Sequence, residues 1–397
     1  MKILILSSLA YSLTNFRGRL LFAMSSAGHE VIACAPDEDR EVKTALATMG
    51  IGFRCTPMGR TSSNPFGDLR TLWAYVRLIR QERPDVVLAY TQKPIIYGGL
   101  AARLCGVKGF HVLMSGLGYV FGPEAEHRRL LRAIVRRLYR AGVRRAKTIF
   151  VFNGDDRNEM IRQGIIHHDQ HVVQVPGSGV DIDYYAHQPM PAGPPCFLMI
   201  ARLMRDKGVM EYVDAARKLK QRYPETRFHL LGRIDTDNPT GFTPAQINGW
   251  AREGIVEYHE ETRDVRPFLA MSHIFVLPSY YREGLPRTLL EALATGRPII
   301  TTDMPGCREP VIEGYNGFLV PPRNSGALAS MMERFLSDPS LAPAMSARAR
   351  QTAVTHYDVE KVNALLLDSM QLGPAHHQRA PVQPLGTPRT ITSTGRF

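Results

Sequence analysis

Leu277-Pro-Ser-Tyr-Tyr-Arg-Glu-Gly-Leu-Pro-Arg-Thr-Leu-Leu-Glu-Ala-Leu-Ala-Thr-Gly-Arg-Pro298 reads as strand, loop, helix and turn in one passage. Proline is tolerated in the first turn of a helix, so Pro286 marks a start, Thr288–Thr295 the body and Gly296 the stop. The amides of Gly284 and Leu285 then point outward at the positive end of that helix, which suits oxygen-rich or anionic ligands. Glu283 lies in the loop and Glu291 about two turns later. Both carboxylates can therefore face one cleft from different depths and accept paired hydroxyl hydrogen bonds from a sugar or a ribose.

Outward from this passage, apolar runs alternate with helical patterns. Towards the N-terminus, strands are expected at Lys2–Ser8, Glu30–Ala35, Ile51–Cys55, Asp85–Tyr90, Phe110–Met114 and Thr148–Phe152. Helices are expected at Phe16–Ala27, Leu69–Gln81 and Ile96–Leu104. The second half repeats the scheme, with strands at Phe197–Ala201, Arg227–Leu231, Gly254–Tyr258, Ile274–Leu277 and Pro298–Thr302. Its helices are expected at Val209–Arg222, Pro244–Arg252, Val265–Met271 and Thr288–Thr295. Continuous apolar strands alternating with helices predict parallel sheets covered on both faces. Between the halves, Pro176-Gly-Ser-Gly179 and the prolines at 189, 191, 194 and 195 form a turn-rich connection.

The division is therefore an α/β domain over 1–175, a linker over 176–195 and a second α/β domain over 196–345. Residues 346–372 are helices able to cross back to the first domain, and 373–397, without periodicity, are expected to be disordered. Ligands of open parallel sheets sit outside the carboxyl ends of the strands, so two such domains leave a cleft between them.

Length and composition agree. A chain of 397 residues suits two domains, and 44% hydrophobic with 22% charged residues is ordinary for globular proteins. The formal charge of +12 implies an anionic partner: nucleic acid, acidic lipid or a phosphorylated small molecule. Five scattered cysteines without a CxxC pair argue against a disulfide framework or a zinc knuckle, and favour a reducing compartment. No run of about 18 apolar residues predicts a membrane-spanning helix.

The stretch from Leu277 to Pro322 resembles retaining family 4 glycosyltransferases of the GT-B fold, especially those that build capsules and exopolysaccharides. That fold is α/β, with two Rossmann-like α/β/α domains facing across a central cleft. The resemblance rests on Glu283 and Glu291 as an E-x7-E pair, Gly296-Arg-Pro298, Pro305-Gly-Cys-Arg-Glu309 and Asn316-Gly-Phe-Leu-Val-Pro321. It implies that Glu283 contacts hydroxyls of the transferred sugar, helped by the amides of Gly284 and Leu285, while Glu291 holds the ribose. In Ala201-Arg-Leu-Met-Arg-Asp-Lys-Gly208, Arg202 and Lys207 match the pair that grips the diphosphate. Arg202 closes a strand and Lys207 precedes a helix, which independently places two cations at the sheet's carboxyl edge. Negative charge grows on the diphosphate as the glycosidic bond breaks, so fixed cations there favour the transition state. Tyr258-His-Glu260 falls where the family contacts the base, which brings Tyr258, His259 and Glu260 to the donor side. Gly177-Ser-Gly-Val-Asp181 matches the interdomain loop.

On the acceptor side, Arg17 and Gly18 in Asn15-Phe-Arg-Gly18 occupy the place of the family's glycine-containing loop. Ser115-Gly-Leu-Gly-Tyr119 matches the acceptor loop, although Ser115 stands where many relatives carry histidine. His111, Tyr119 or a backbone group is left to take that role. Lys93, at the end of a strand, is offered to the same cleft. The segment from Glu126 to Lys147 is an amphipathic helix with an apolar stripe of Leu130, Leu131, Ile134, Val135 and Leu138 and a face dominated by arginine. It can cover its own sheet and present cations to anionic lipid. Without interleaved aromatics or a nucleic-acid module, nucleic acid is not expected as a partner. Asp235-Thr-Asp237 reads as a turn, and His167-His168 and His376-His377 lack ligand companions, so no metal and no cofactor is expected.

The resemblance thus implies transfer of a hexose-type sugar, with retention, from a nucleotide diphosphate to a polyprenyl-diphosphate-linked acceptor. The work would take place at the inner face of the cytoplasmic membrane. A GT-B nucleotide-sugar epimerase or hydrolase, and a non-catalytic nucleotide-sugar-binding subunit, are the alternatives.

Overall fold

The computed structural model describes residues 1–59, 65–116, 129–236 and 238–373. Tyr119, Asp237, the first turn of the basic helix and the C-terminal tail from 374 onward lie outside the described residues.

The N-terminal unit runs β1 (Lys2–Leu6), α1 (Ala10–Asn15), α2 (Gly18–Ser26), β2 (Glu30–Ala35), α3 (Arg40–Thr48), β3 (Gly52–Cys55), α4 (Pro65–Glu82) and β4 (Val86–Tyr90). It continues through α5 (Gly99–Leu104), β5 (Gly109–Met114), α6 (Arg129–Val143), β6 (Thr148–Val151), α7 (Gly154–Arg162) and β7 (Val172–Gln174). Its seven strands are parallel in the order β3-β2-β1-β4-β5-β6-β7. Strand residues buried on both faces explain the unbroken apolar runs.

The second unit comprises β8 (Cys196–Ile200), α8 (Val209–Lys220), β9 (Arg227–Leu231), α9 (Pro244–Arg252), β10 (Glu257–His259), α10 (Arg266–Met271) and β11 (Ile274–Leu277). It ends with α11 (Arg287–Thr295), β12 (Ile299–Thr302), β13 (Gly317–Val320), α12 (Ser325–Ser337), α13 (Leu341–Thr352) and α14 (Val359–Ser369). Its sheet is also parallel, in the order β10-β9-β8-β11-β12-β13.

Several elements differ from the sequence expectation. The helix expected over Phe16–Ala27 begins at Gly18, because Phe16 and Arg17 form the break between α1 and α2. The strand expected at Gly254–Tyr258 begins at Glu257, since Gly254 sits at φ 68° in a turn. Helix α3 is an addition, capped by the Asp39 carboxylate on the amides of Glu41 and Val42 at 2.9 and 3.1 Å. Strands β7 and β13 are additions at the sheet edges.

The chain crosses between the units twice, and the crossings pair. Val180 donates to Tyr357 O at 2.7 Å and Val359 donates back to Val180 O at 3.0 Å. Beyond them α14 returns to the first unit, where Val362, Leu366 and Leu367 join a core with Leu20, Leu21 and Met24. Arg297 ties the linker down from inside. Its guanidinium is fully buried and donates to the carbonyls of Leu269, Gln188, Pro189 and Ala270 at 2.9–3.0 Å. With no carboxylate among these partners, burial pulls its pKa down to about 10. Arg350 repeats the device on Tyr185, Ala294 and Ile182 carbonyls at 2.7–3.0 Å.

Replacing Arg297 by methionine strands four interior carbonyls without their donor. We expect Arg297→Met to cost about 3 kcal/mol or more in urea unfolding, because each buried unmade hydrogen bond costs roughly 1–3 kcal/mol.

Candidate active site

The donor side is assembled by backbone before any side chain is placed. Asp206 O accepts the amides of Tyr280 and Tyr281 at 2.9 Å and the Ser279 hydroxyl at 3.2 Å. These bonds join the turn after β8 to the loop after β11, the two loops at the carboxyl edge of the second sheet. Gly208 makes the approach possible: it adopts φ 79°, and a Cβ there would collide with the Pro278 carbonyl. The consequence is that Lys207 Nζ meets Glu283 Oε1, and Ser279 Oγ donates to the same oxygen at 3.1 Å. Lys207 and Glu283 are both largely buried, and Gly306, at φ 86°, lies against the Glu283 backbone. Thr302 Oγ1 donates to Ser279 O from β12. Ser279 and Thr302 carried no sequence signal of their own, and Gly306 was read only as part of Pro305-Gly-Cys-Arg-Glu309; they matter through the turn they hold.

Arg202 stands apart from that pair. Its side chain is about half exposed, 3.8 Å from the Asp235 carboxylate. Asp235 thus serves an ion pair at the start of a turn, its carbonyl accepting from the Asn238 amide at 3.2 Å.

Glu291 is reached from α11 as expected, but it already has partners. Tyr185 Oη donates to it at 2.9 Å and Arg287 Nε lies at 3.0 Å. Burial, and then proximity to that carboxylate, push the Tyr185 phenol well above its ordinary value. Tyr258 Oη donates to Gly232 O at 3.2 Å, while Glu260 is exposed. His259 shares a 2.8 Å hydrogen bond with His229, whose own ring is buried and has its pKa depressed to about 4 by desolvation. Glu257 lies close enough to complete a three-ligand cluster with this pair. Both of its oxygens, however, are held by Arg227 at 2.9 and 2.8 Å, and the histidines spend their facing nitrogens on each other.

Across the cleft, the first unit closes onto the Glu283 loop. Asn153 Nδ2 donates to Gly284 O at 2.8 Å, and Gly284 packs on the Ser115 and Gly116 backbone. Ser115 therefore meets the donor loop through its main chain. Lys93 is engaged at 2.7 Å by Asp68 of α4. Gly18 opens α2, and a Cβ there would meet no atom within 4 Å, so the fold itself does not require glycine at that place. His111, one of the groups left open for the acceptor role, is excluded from the cleft. It is fully buried near the start of β5, away from the strand's carboxyl end, and burial depresses its pKa to about 4.

Arg17 is the unusual group. It is only 4% exposed, and its guanidinium sits 5.3 Å from the Tyr90 ring centroid and 5.7 Å from that of Phe152. Among the described residues its Nε has no hydrogen-bond acceptor, and burial lowers its pKa to about 10, with Arg287 adding repulsion. Tyr90 ends β4 and Phe152 follows β6, so the charge lies at the carboxyl edge of the first sheet, facing the cleft.

The second sheet thus carries a lysine–carboxylate pair at its carboxyl edge, and the first sheet a buried arginine at its own. Residues 184–352 match the family "Glycosyl transferases group 1", and residues 15–176 match the "Glycosyl transferase 4-like domain". The chain belongs to these glycosyltransferases, and its fold is GT-B. It is 27% identical over 369 residues to the N,N'-diacetylbacillosaminyl-diphospho-undecaprenol alpha-1,3-N-acetylgalactosaminyltransferase of Campylobacter jejuni, an alignment covering 90% of this chain and 95% of that one. It is 24% identical over 319 residues to the UDP-Gal:alpha-D-GlcNAc-diphosphoundecaprenol alpha-1,3-galactosyltransferase of Escherichia coli, covering 76% and 80%. Among solved structures, Anabaena HepE in complex with UDP superposes with a TM-score of 0.75 at 20% identity, over 94% of this chain and 100% of that one.

Glu283→Ala is expected to abolish transfer in a nucleotide-release assay while the circular dichroism spectrum stays that of the wild type; near-normal activity would remove Glu283 from the site. A second expectation concerns the interdomain contact, where Arg282 Nε lies 3.3 Å from Asp156. Burial raises the Asp156 pKa to about 6, above its unfolded value of roughly 4. A raised folded pKa means that the protonated carboxyl is the form the fold favours. Its stabilising contribution is full below about pH 4 and lost as pH rises through about 6. Asp156→Asn should flatten the pH dependence of unfolding free energy across that window.

Proposed function

We propose that this glycosyltransferase moves a hexose or N-acetylhexosamine, with retention at the anomeric carbon, from a uridine diphosphate sugar to a polyprenyl-diphosphate-linked saccharide in bacterial surface-glycan assembly. The observation that carries the reading is the Lys207–Glu283–Ser279 centre at the carboxyl edge of the second sheet. A cation there meets the diphosphate and a carboxylate beside it meets the sugar hydroxyls. The lipid-linked acceptors in the names of the Campylobacter and Escherichia relatives support the acceptor class.

In this reading the acceptor hydroxyl attacks on the face from which the diphosphate leaves, and a departing phosphate oxygen takes the proton. No carboxylate nucleophile is needed, and no metal is part of the proposal. Lys207, joined by Arg202 once it turns from Asp235, stabilises the negative charge that develops on the leaving group. Glu291, backed by Tyr185 and Arg287, accepts the ribose hydroxyls. Arg17 supplies the positive charge on the N-terminal side, where the acceptor's own diphosphate approaches. The basic helix near 126–147 meets anionic headgroups at the cytoplasmic face of the membrane. Its described part, α6, leaves Arg137 and Arg140 exposed, and among the described residues no helix is long and apolar enough to cross a membrane.

Nucleotide release should be measured for a panel of nucleotide sugars with and without a polyprenyl-diphosphate saccharide. Turnover only with acceptor supports transfer; turnover without it indicates an epimerase or hydrolase, and binding without turnover a silent subunit. Arg17→Met separates function from folding in the same assay. Removing an unpaired buried charge should leave the unfolding midpoint unchanged or raised, while turnover falls on the order of 10–100-fold if the guanidinium contacts a phosphate.

A further inference from the structure

Helix α4 buries one stripe, formed by Thr71, Tyr75, Val76, Leu78 and Ile79. An amphipathic helix of that kind is expected to be polar elsewhere. Instead Phe66, Leu69 and Trp73 stand outside at 85%, 51% and 57% exposure. Spacings of three and four residues align them as one row on the helix surface. Single exposed apolar side chains are ordinary in soluble proteins, but a row of three large ones is a docking surface.

The charges on the helix narrow the occupant. Its two acids are neutralised from within the protein: Asp68 by Lys93 at 2.7 Å, and Glu82 by Arg54 and Lys2 at 2.7 and 2.9 Å. Arg70, Arg77 and Arg80 are exposed, and no carboxylate pairs with them among the described residues. What α4 offers outward is therefore an aromatic and aliphatic row flanked by cations. A second copy of a chain with net charge +12 would bring the same arginines against them. An anionic bilayer surface matches both properties, taking the apolar row into the acyl boundary and the arginines at the phosphates. Tryptophan is well suited to that depth, with an apolar ring and a polar N–H.

Position supplies the third argument. The Asp68–Lys93 pair fastens the start of α4 beside the loop after β4, at the carboxyl edge of the first sheet. The exposed row thus borders the mouth of the cleft. We propose that the Phe66–Leu69–Trp73 face of α4 embeds in the interfacial zone of an anionic membrane and sets the cleft mouth against the lipid from which the acceptor is drawn. The lipid surface stands on α4 itself, while its link to acceptor entry rests on the lipid-linked reading above.

The chain has two tryptophans, and Trp250 is buried, so a Trp250→Phe background makes Trp73 the sole emitter. Vesicles containing phosphatidylglycerol should shift Trp73 emission to the blue, and lipids brominated on the acyl chain should quench it. Pure phosphatidylcholine vesicles should do much less. The double variant Phe66→Ser and Leu69→Ser is expected to weaken partitioning into anionic vesicles roughly tenfold or more. It should slow turnover of a vesicle-embedded acceptor while leaving turnover of a water-soluble short-chain diphosphate acceptor unchanged. Unchanged Trp73 emission with phosphatidylglycerol vesicles would overturn the proposal. So would a blue shift that grows with protein concentration in the absence of lipid, which would assign the face to a second copy. Failure of the wild type with both acceptors would sink the transfer reading, and the fluorescence measurements would still decide the lipid surface.

Discussion

One backbone carbonyl organises the donor side. Asp206 O receives two amides and a hydroxyl from the segment Ser279–Tyr281, and through them the loops after β8 and β11 become a single unit. Lys207 and Glu283 then meet because their neighbours are already fixed, not because two long side chains find each other in solvent. An ion pair held this way loses little further freedom when a ligand arrives, which is the condition for electrostatic stabilisation of a developing charge. The same constraint explains the glycines around it. Gly208 is demanded by a positive φ and by the Pro278 carbonyl, and Gly306 by its approach to the Glu283 backbone. Side chains at either place would move the Glu283 carboxylate without touching it.

The wholly or partly buried arginines fall into two kinds, told apart by what their N–H groups meet. Arg297 and Arg350 direct their N–H groups onto main-chain carbonyls of the linker and its surroundings, so each repays its desolvation with hydrogen bonds. They are structural rivets at the hinge. Arg17 has aromatic faces and an orphan Nε instead. Aromatic contacts are worth about 0.5–2 kcal/mol, less than the several kcal/mol that burying an unpaired ion costs. Among the described residues, nothing offsets that cost for Arg17. A phosphate is the complement that a planar guanidinium meets best.

These two kinds also show where sequence reading stops. The alternation of apolar strands and helices announced both sheets, because strands buried on both faces need unbroken hydrophobic runs. Glu283, Lys207 and Glu291 were legible for another reason: their loop and helix-end chemistry lies within short stretches. Arg297 was legible only as part of Gly296-Arg-Pro298. Its partners at 188, 189, 269 and 270 are distant in the chain, and nothing local distinguishes a rivet from a ligand. Tyr185 on Glu291 spans 106 positions and was invisible on the same ground. His111 illustrates the reverse error. A histidine two residues into a strand looks available, yet its side chain is enclosed by the fold on every side. Strands β7 and β13, three and four residues long at the sheet edges, are too short to impose a pattern.

The two units are joined by bonds of unequal character. At the hinge, Val180 and Val359 exchange backbone hydrogen bonds, and α14 inserts Leu366 and Leu367 into the first unit's core. At the mouth, the contacts include Asn153 on Gly284, Arg282 on Asp156, Arg287 on the Asn15 carbonyl, Arg308 3.9 Å from Asp155, and Leu285 packed on the first unit's core. Asn153 and Asp156 are buried, whereas the partly exposed Arg308–Asp155 pair contributes about 1 kcal/mol or less. Gly284 lies directly on the backbone of Ser115 and Gly116, so this loop is where the second unit meets the first. The loop that carries Glu283 is thus also the loop on which the two units close. Because Ser115 contributes its backbone to that closure, a larger residue's side chain is not needed there to hold the two halves together.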